Sequence, residues 1–323
     1  MNLRKMIGGM ALAGLGSVLI YAVLMFIGDG PEVIAALKAF PLDTFAWMLV
    51  LSLGCYLIRA LRWGALLRLE GYPVRARDSI YLHFSGQTMS VSPGRVGEVL
   101  KPWLSTHVAG MPMSRGIGLI FAERVADLIA VVVLSLGGLA AMKTGGWTLP
   151  LALVLVVGGT AVGASDWFHE RALLVLARHR WVRKHEASLG SLSIAIRRAL
   201  SWRTLAWSVP ASIVAWGLEG VGFYLCVRAL GFDGLTAVES ISVYSISTFV
   251  GALSFMPGGI GLTEASMAGL LVAVGMSASA ASAATLITRV ATLWWAVALG
   301  WLMLLTRARL FRELISSVPE SAE

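Results

Sequence analysis

Charge, cysteine and recognisable catalytic spacing are all scarce in this chain. Only 14% of its 323 residues are charged against 57% hydrophobic, and the mean hydropathy of +0.79 excludes an ordinary water-soluble protein of this length. The two cysteines, Cys55 and Cys226, fall inside apolar runs where no structural disulfide is expected, and neither stands beside a histidine at metal-ligand spacing. Both read as small core residues. His83, Ser85 and Gln87 have no Ser-His-acid or metal spacing around them, so they read as hydrogen-bonding helix residues, and no metal or cofactor is expected. The net charge of +8 and pI near 9.9 come without a nucleic-acid motif, which removes nucleic acid from the expected partners.

What the chain does have is apolar runs long enough to cross about 30 Å of hydrocarbon. They lie at about 6–27, 45–67, 116–142, 147–165, 204–230 and 281–306. The expected fold class is therefore an all-α polytopic membrane protein with about six full transmembrane helices. Arg4 and Lys5 open the first run like a signal peptide, but Ala11-Leu-Ala13 falls too early to be a cleavage site, so an uncleaved first helix is expected. Two further stretches, about 79–110 and 241–275, are each interrupted by Pro-Gly. Irregular backbone at membrane depth is tolerated only against protein or a wet cavity, which favours two re-entrant helical hairpins, with kinked spans as the alternative.

Charge placement supplies the topology. If both hairpins return to their side of entry, Arg4, Lys5, Arg68, Arg75, Arg77, Arg115, the eight basic residues from Arg171 to Arg203, and Arg307, Arg309 and Arg312 all face the cytoplasm. Only Lys38 and Lys143 face outward, and both termini are cytoplasmic. Between spans, residues 166–203 form a cytoplasmic basic segment in which Trp167, Leu173, Leu174, Leu176 and Trp181 alternate with Arg171, Arg178, Arg180 and Arg183. That pattern suits an amphipathic helix on an anionic inner leaflet.

The chain also repeats itself. Ser90-Val-Ser-Pro93-Gly94-Arg95-Val-Gly97-Glu98 is echoed by Ser254-Phe-Met-Pro257-Gly258-Gly259-Ile-Gly261-Leu-Thr-Glu264. Gly110-Met111, Ser114 and Arg124-Val-Ala126 match Gly275-Met276, Ser279 and Arg289-Val-Ala291 at one constant offset. The single integral membrane domain, 1–323, thus divides into a first repeat over 1–142 and a second over 143–312. Three spans and one hairpin per repeat invert the second copy, and a duplicated unit with broken segments is the pattern of a transporter whose site lies between its halves.

Charges inside apolar segments cost about 2.5–3.5 kcal/mol each near mid-membrane on insertion scales, so they must pair or line a wet cavity. Arg62, Lys101 and Arg228 are expected to snorkel from span ends. At the first hairpin, Ser92 as N-cap and Pro93 at the first helical position would start a short helix whose free N–H groups favour an anion. Gly94 and Gly97 allow close approach, Arg95 can grip a phosphate bidentately, and Glu98 and Lys101 follow. The alternative is that Arg95 and Glu98 only pin the hairpin to its neighbours. The second hairpin supplies Pro257, Gly258, Gly259, Gly261 and Glu264 but no cation at the arginine's place, and Arg289 is the candidate partner of Glu264. Arg59, Glu123, Arg124, Asp127, Glu219 and Arg289 form the expected intramembrane charge network. Glu123 and Asp127 share one helix face, and Glu219 can carry protons or pair with Arg59 or Arg289.

At Pro93-Gly94-Arg95-Val-Gly97-Glu98-Val-Leu-Lys101, Glu123-Arg124-Val-Ala-Asp127 and Pro257-Gly258-Gly259-Ile-Gly261-Leu-Thr-Glu264 the chain resembles the flippase-like, lysylphosphatidylglycerol synthase transmembrane-region family. The resemblance spans nearly the whole chain. It implies a multi-pass protein of the bacterial cytoplasmic (inner) membrane, akin to the lipid-translocating part of the bifunctional synthase/flippase. Because the chain runs only to Glu323, soon after its last span, the soluble aminoacyl-transferase domain and its enzymatic activity are not expected. The leading expectation is a lipid translocase for an anionic, aminoacylated or polyisoprenyl-phosphate lipid, with membrane phospholipid or isoprenoid lipid as the partner. A proton-coupled secondary transporter of a small anion or amphiphile, using Glu98, Glu123 or Glu219, is the second. A non-transporting partner of a lipid-modifying enzyme is the third, and a homo-oligomer is compatible with each.

Overall fold

The structure is a computed structural model that describes residues 19–23, 29–91, 98–141, 186–254 and 256–307. The expected fourth span at 147–165, all but five residues of the first, the 166–185 part of the basic segment, and Arg309 and Arg312 lie outside the described residues.

Helices with short connections make up the fold, and no strand occurs among the described residues. In chain order they are α1 Gly30–Ala39, α2 Leu42–Leu69, α3 Ala76–Gln87, α4 Leu100–Ala109, α5 Met113–Ala141, α6 Glu186–Ala199, α7 Trp202–Ala229, α8 Ala237–Leu253, α9 Leu262–Ala273 and α10 Ala278–Thr306. Local chemistry sets many of the ends. Pro31 and Glu32 sit in the first turn of α1 and Lys38 in its last, matching the helix dipole. The Ser201 and Ser277 hydroxyls cap α7 and α10, and Thr236 with Glu239 closes a reciprocal capping box on α8. A π turn at Val290–Trp294 interrupts α10 just after Arg289.

Among the described residues three helices, α2, α7 and α10, are long and apolar enough to cross a membrane, at 28, 28 and 29 residues. They coincide with the spans expected at 45–67, 204–230 and 281–306. The 29-residue α5 covers the expected 116–142 span, charges included. Leu42, Trp47, Leu302 and Leu305 remain largely exposed on these helices, as side chains facing lipid would. Helices of this length and composition suit a multi-pass membrane protein.

Both interrupted stretches are helix–break–helix units. In the first, α3 and α4 pack on each other, with turns at 88–91 and 98–99 between them; in the second, α8 packs on α9, with a short turn at 257–259 between them. The second break needs its glycines. Gly258, Gly259 and Gly261 have φ of +57°, +67° and +98°, a region that side-chain-bearing residues rarely adopt.

Two apolar cores form, one mainly in each half. Trp63, Tyr81, Leu104 and Leu119 anchor the first, and Phe223, Tyr244, Met267 and Ala284 anchor the second. Between them lies a smaller cluster with Tyr56, Phe84 and Ala296. α7 packs against both α2 and α5, and α5 against α8, so the halves share a long seam. α6 docks on α5 with Ala195 and Ala199 buried, so this part of the 166–203 segment has a protein partner.

Candidate functional site

A half-open cavity of about 160 Å³ lies on the seam, walled by α2, α3, α5, α7, α8 and α10 with Lys101 of α4, Thr263 of α9 and residues of both interrupted stretches. α2, α4, α5, α7 and α10 turn charged residues into it, while α3 and α8 add uncharged polar ones.

Arg59 and Arg62, one turn apart on α2, both bind Asp127 on α5, at 2.8 and 2.7 Å. Ser212 of α7 donates to the same Asp127 carboxylate at 3.2 Å. Glu123, one turn before Asp127, takes Arg62 at 3.6 Å and pairs with Lys101 of α4. The Lys101 ammonium also stands 3.8 Å from the centre of the Trp63 ring, and the Arg59 guanidinium stands 4.8 Å from that of Trp216. Glu123 and Asp127 thus share a face, as expected. The expected snorkelling of Arg62 and Lys101 is corrected: both are buried and paired with α5 carboxylates. Their carboxylate partners come from another helix, and a buried ion pair replaces the water that a span end would offer. Arg228 does lie at its helix end, paired with exposed Asp233.

The sequence repeat recurs as an ion pair. Glu98 stands 3.5 Å from Arg124, and Glu264 stands 2.7 Å from Arg289. In each half the acid after the break meets the arginine of the following long helix. The first pair is partly exposed to the cavity and the second is buried. Arg289 also donates to the Gly258 carbonyl at 2.7 Å, and Glu264 accepts from the Gly261 N–H at 2.7 Å, so the second break is clamped on both sides.

Of the expected site residues, Glu98, Lys101, Gly258 and Gly259 reach the cavity wall together with Arg59, Glu123, Arg124, Glu219 and Arg289. Asp127 and Glu264 stand behind it as partners, Gly261 caps α9, and Pro257 opens the short turn before Gly258. Pro93, Gly94, Arg95 and Gly97, with the expected N-cap Ser92, lie outside the described residues. α4 opens at Leu100, after a 3₁₀ turn at Glu98 and Val99. Glu219 meets neither Arg59 nor Arg289 as an ion pair; it accepts instead from the Tyr244 hydroxyl at 2.6 Å. Residue spacing gave no sign of Tyr244 or Trp216, which reach the site only through helix packing. Arg62 stands one turn from Arg59, a spacing that puts both on one face of α2 without showing what that face meets.

Not every guanidinium N–H is hydrogen-bonded. Arg124 Nε meets Glu98 and Arg62 Nη2 meets Glu123 Oε1 only as longer ion pairs, at 3.5 and 3.6 Å, and the buried Nε of Arg59, on the cavity wall, has no acceptor. His83 lines the same wall beside Gln87, 3.4 Å away, and Ser90 donates to Gln87 at 2.8 Å. A chamber with the guanidinium groups of Arg59, Arg124 and Arg289 on its wall and a neutral polar rim can hold an oxyanion by charge-assisted hydrogen bonds.

The family model for the lysylphosphatidylglycerol synthase TM region matches residues 14–300. Among curated relatives, a UPF0104 membrane protein of Methanothermobacter thermautotrophicus is 27% identical, over 88% of this chain and 90% of its own length. A second from that organism is 23% identical over 90% and 93%, and a UPF0104 membrane protein of Pyrococcus horikoshii is 24% identical over 79% and 84%. These relatives are archaeal.

Proposed function

This chain belongs to the lysylphosphatidylglycerol synthase TM region family, and from that premise we propose that it is a lipid translocase whose cavity carries an anionic headgroup between leaflets. The observation that carries the reading is a cavity to which both halves contribute, with Arg59, Arg124 and Arg289 on its wall and the buried Nε of Arg59 without an acceptor. A phosphate-bearing headgroup supplies that acceptor. About 160 Å³ is small beside the roughly 300–1,000 Å³ of pockets that engulf a drug-sized ligand, which favours a headgroup inside and acyl chains left in the bilayer.

On this reading the two helix–break–helix units are re-entrant hairpins of an inverted repeat, entering from opposite sides of a bacterial cytoplasmic membrane with both termini inside. The paired Glu98–Arg124 and Glu264–Arg289 contacts support that arrangement, because an inverted duplication carries one interaction to both faces of the cavity. The protein moves its substrate without altering it, and the headgroup is that of a phospholipid, an aminoacylated lipid or a polyisoprenyl phosphate. The small cavity also suits a free anion, and a lateral opening to lipid separates that second reading.

The test uses vesicles of phosphatidylethanolamine and phosphatidylglycerol with trace NBD-labelled phosphatidylglycerol. Dithionite quenching should show accelerated exchange between leaflets with the protein and slower exchange with Arg124→Gln. No acceleration over empty vesicles, together with uptake of inorganic phosphate into the lumen, would replace the lipid by a small anion.

A further inference from the structure

Three cavity carboxyls differ in one respect that bears on energy coupling. Glu98 stands against Arg124, and Glu123 against Lys101 and Arg62. Neutralising Glu123 would strand buried cations, a costly state in low dielectric, and neutralising Glu98 would open the pair with Arg124 that solvent reaches. Glu219 is 4% exposed on the cavity wall, and among the described residues no cation lies within ion-pair distance of it. It accepts a hydrogen bond from a neutral phenol, the Tyr244 hydroxyl.

The groups facing Glu219 come from every neighbouring helix. α2 presents Cys55, Tyr56 and Arg59, and α8 presents Tyr244. Tyr56 gives its own proton to the Thr292 carbonyl of α10. Arg59 is committed to Asp127 of α5, and Arg289 of α10 to Glu264. The charges around Glu219 are thus already satisfied in pairs, and Glu219 alone can change charge without breaking one. It also sits on α7, the helix that packs on both α2 and α5, one turn after Trp216, against which Arg59 rests.

We propose that Glu219 is a proton-binding site that couples movement of the cavity's anionic cargo to the transmembrane proton gradient. One O–H bond forms on its carboxylate when a proton enters from one side and breaks when that proton leaves to the other. No redox partner is involved. Binding an anion beside Arg59 favours the protonated state, because the approaching negative charge repels a carboxylate in the same chamber; release of the anion reverses the preference. The inference rests on reading the cavity as a transport path, but the proton site can be tested apart from the cargo.

Infrared difference spectra of the full chain in those vesicles, titrated with pH, should contain a protonated-carboxyl band that disappears in Glu219→Gln and persists in Glu98→Gln. A band that survives Glu219→Gln, or no titrating band, overturns the site. Tyr244→Phe keeps the carboxyl and should move the band by removing its phenol donor; an unmoved band also overturns the assignment. In the transport arm, NBD-phosphatidylglycerol exchange is compared with and without an imposed pH gradient. The wild-type ratio should depart from unity and that of Glu219→Gln should return to unity, whereas a variant that still follows the gradient overturns coupling. Wild type that titrates normally yet moves no labelled lipid overturns the lipid cargo and leaves the proton site standing.

Discussion

Arg289 binds Glu264 through Nε at 2.7 Å and spends its Nη2 on the Gly258 carbonyl, so one guanidinium ties the last long helix to both the break and the second arm of α8–α9. Glu264 is fully buried. Removing either partner leaves the other charge uncompensated, which costs about 3–5 kcal/mol when an ion pair is buried.

Arg289→Gln and Glu264→Gln should therefore each lower the unfolding temperature in detergent strongly, and the double variant should recover most of the loss. Arg289→Lys should recover only part, since an ammonium cannot span the Glu264 carboxylate and the Gly258 carbonyl with a planar fork. Losses that simply add in the double variant would show that the pair is not the unit of stability.

The two sides of the cavity should respond unequally to loss of a carboxylate. Asp127 serves Arg59, Arg62 and Ser212, so Asp127→Asn should destabilise by about 3–5 kcal/mol. Glu98→Gln acts on a pair that solvent reaches, where about 0–1 kcal/mol is expected. Thermal unfolding of the two variants side by side checks the ordering, and equal shifts would contradict it.

Much of this was legible in the chain, and particular residues show where legibility ended. The repeat pointed to Glu264 and Arg289 because a duplicated acid and a duplicated arginine stand in the same order in both halves. Helix periodicity put Glu123 and Asp127 on one face. It did not reveal that Arg62 and Lys101 turn inward, since their sequence positions near segment ends suit snorkelling as well as pairing. Only the approach of α4 and α2 to α5 decides the matter. Tyr244 meets Glu219 across two helices that no periodicity relates. The π turn after Arg289 was equally silent, because Val290–Trp294 is an ordinary apolar helical sequence.

Close helix approach gives a prediction independent of charge. A Cβ at Gly300 would come within 2.7 Å of the Phe84 carbonyl oxygen and 2.7 Å of the Thr88 nitrogen, both backbone atoms that cannot swing aside. Gly300→Ala should push α10 off the end of α3 and cost about 1–3 kcal/mol. Gly217, mid-helix in α7, has open space at its Cβ position, so Gly217→Ala should be neutral or stabilise by up to about 1 kcal/mol. Unfolding temperatures that move in the same direction for both would refute the packing argument.

The sharpest functional prediction concerns Arg95, the cation that follows Pro93-Gly94 in the first interrupted segment. Its counterpart in the second repeat is Gly259, so the two halves differ in charge at this place. If Arg95 holds a headgroup phosphate, Arg95→Lys should lose much of the exchange of labelled lipid despite keeping its charge, because a point ammonium cannot reproduce a bidentate grip. Expression and insertion should survive. If Arg95 only neutralises Glu98, Arg95→Gln combined with Glu98→Gln should restore most of what either single change removes. Translocation by the four variants in vesicles separates the two roles. Rescue in the double variant would sink headgroup binding, while a folded double variant as inactive as Arg95→Gln would support it.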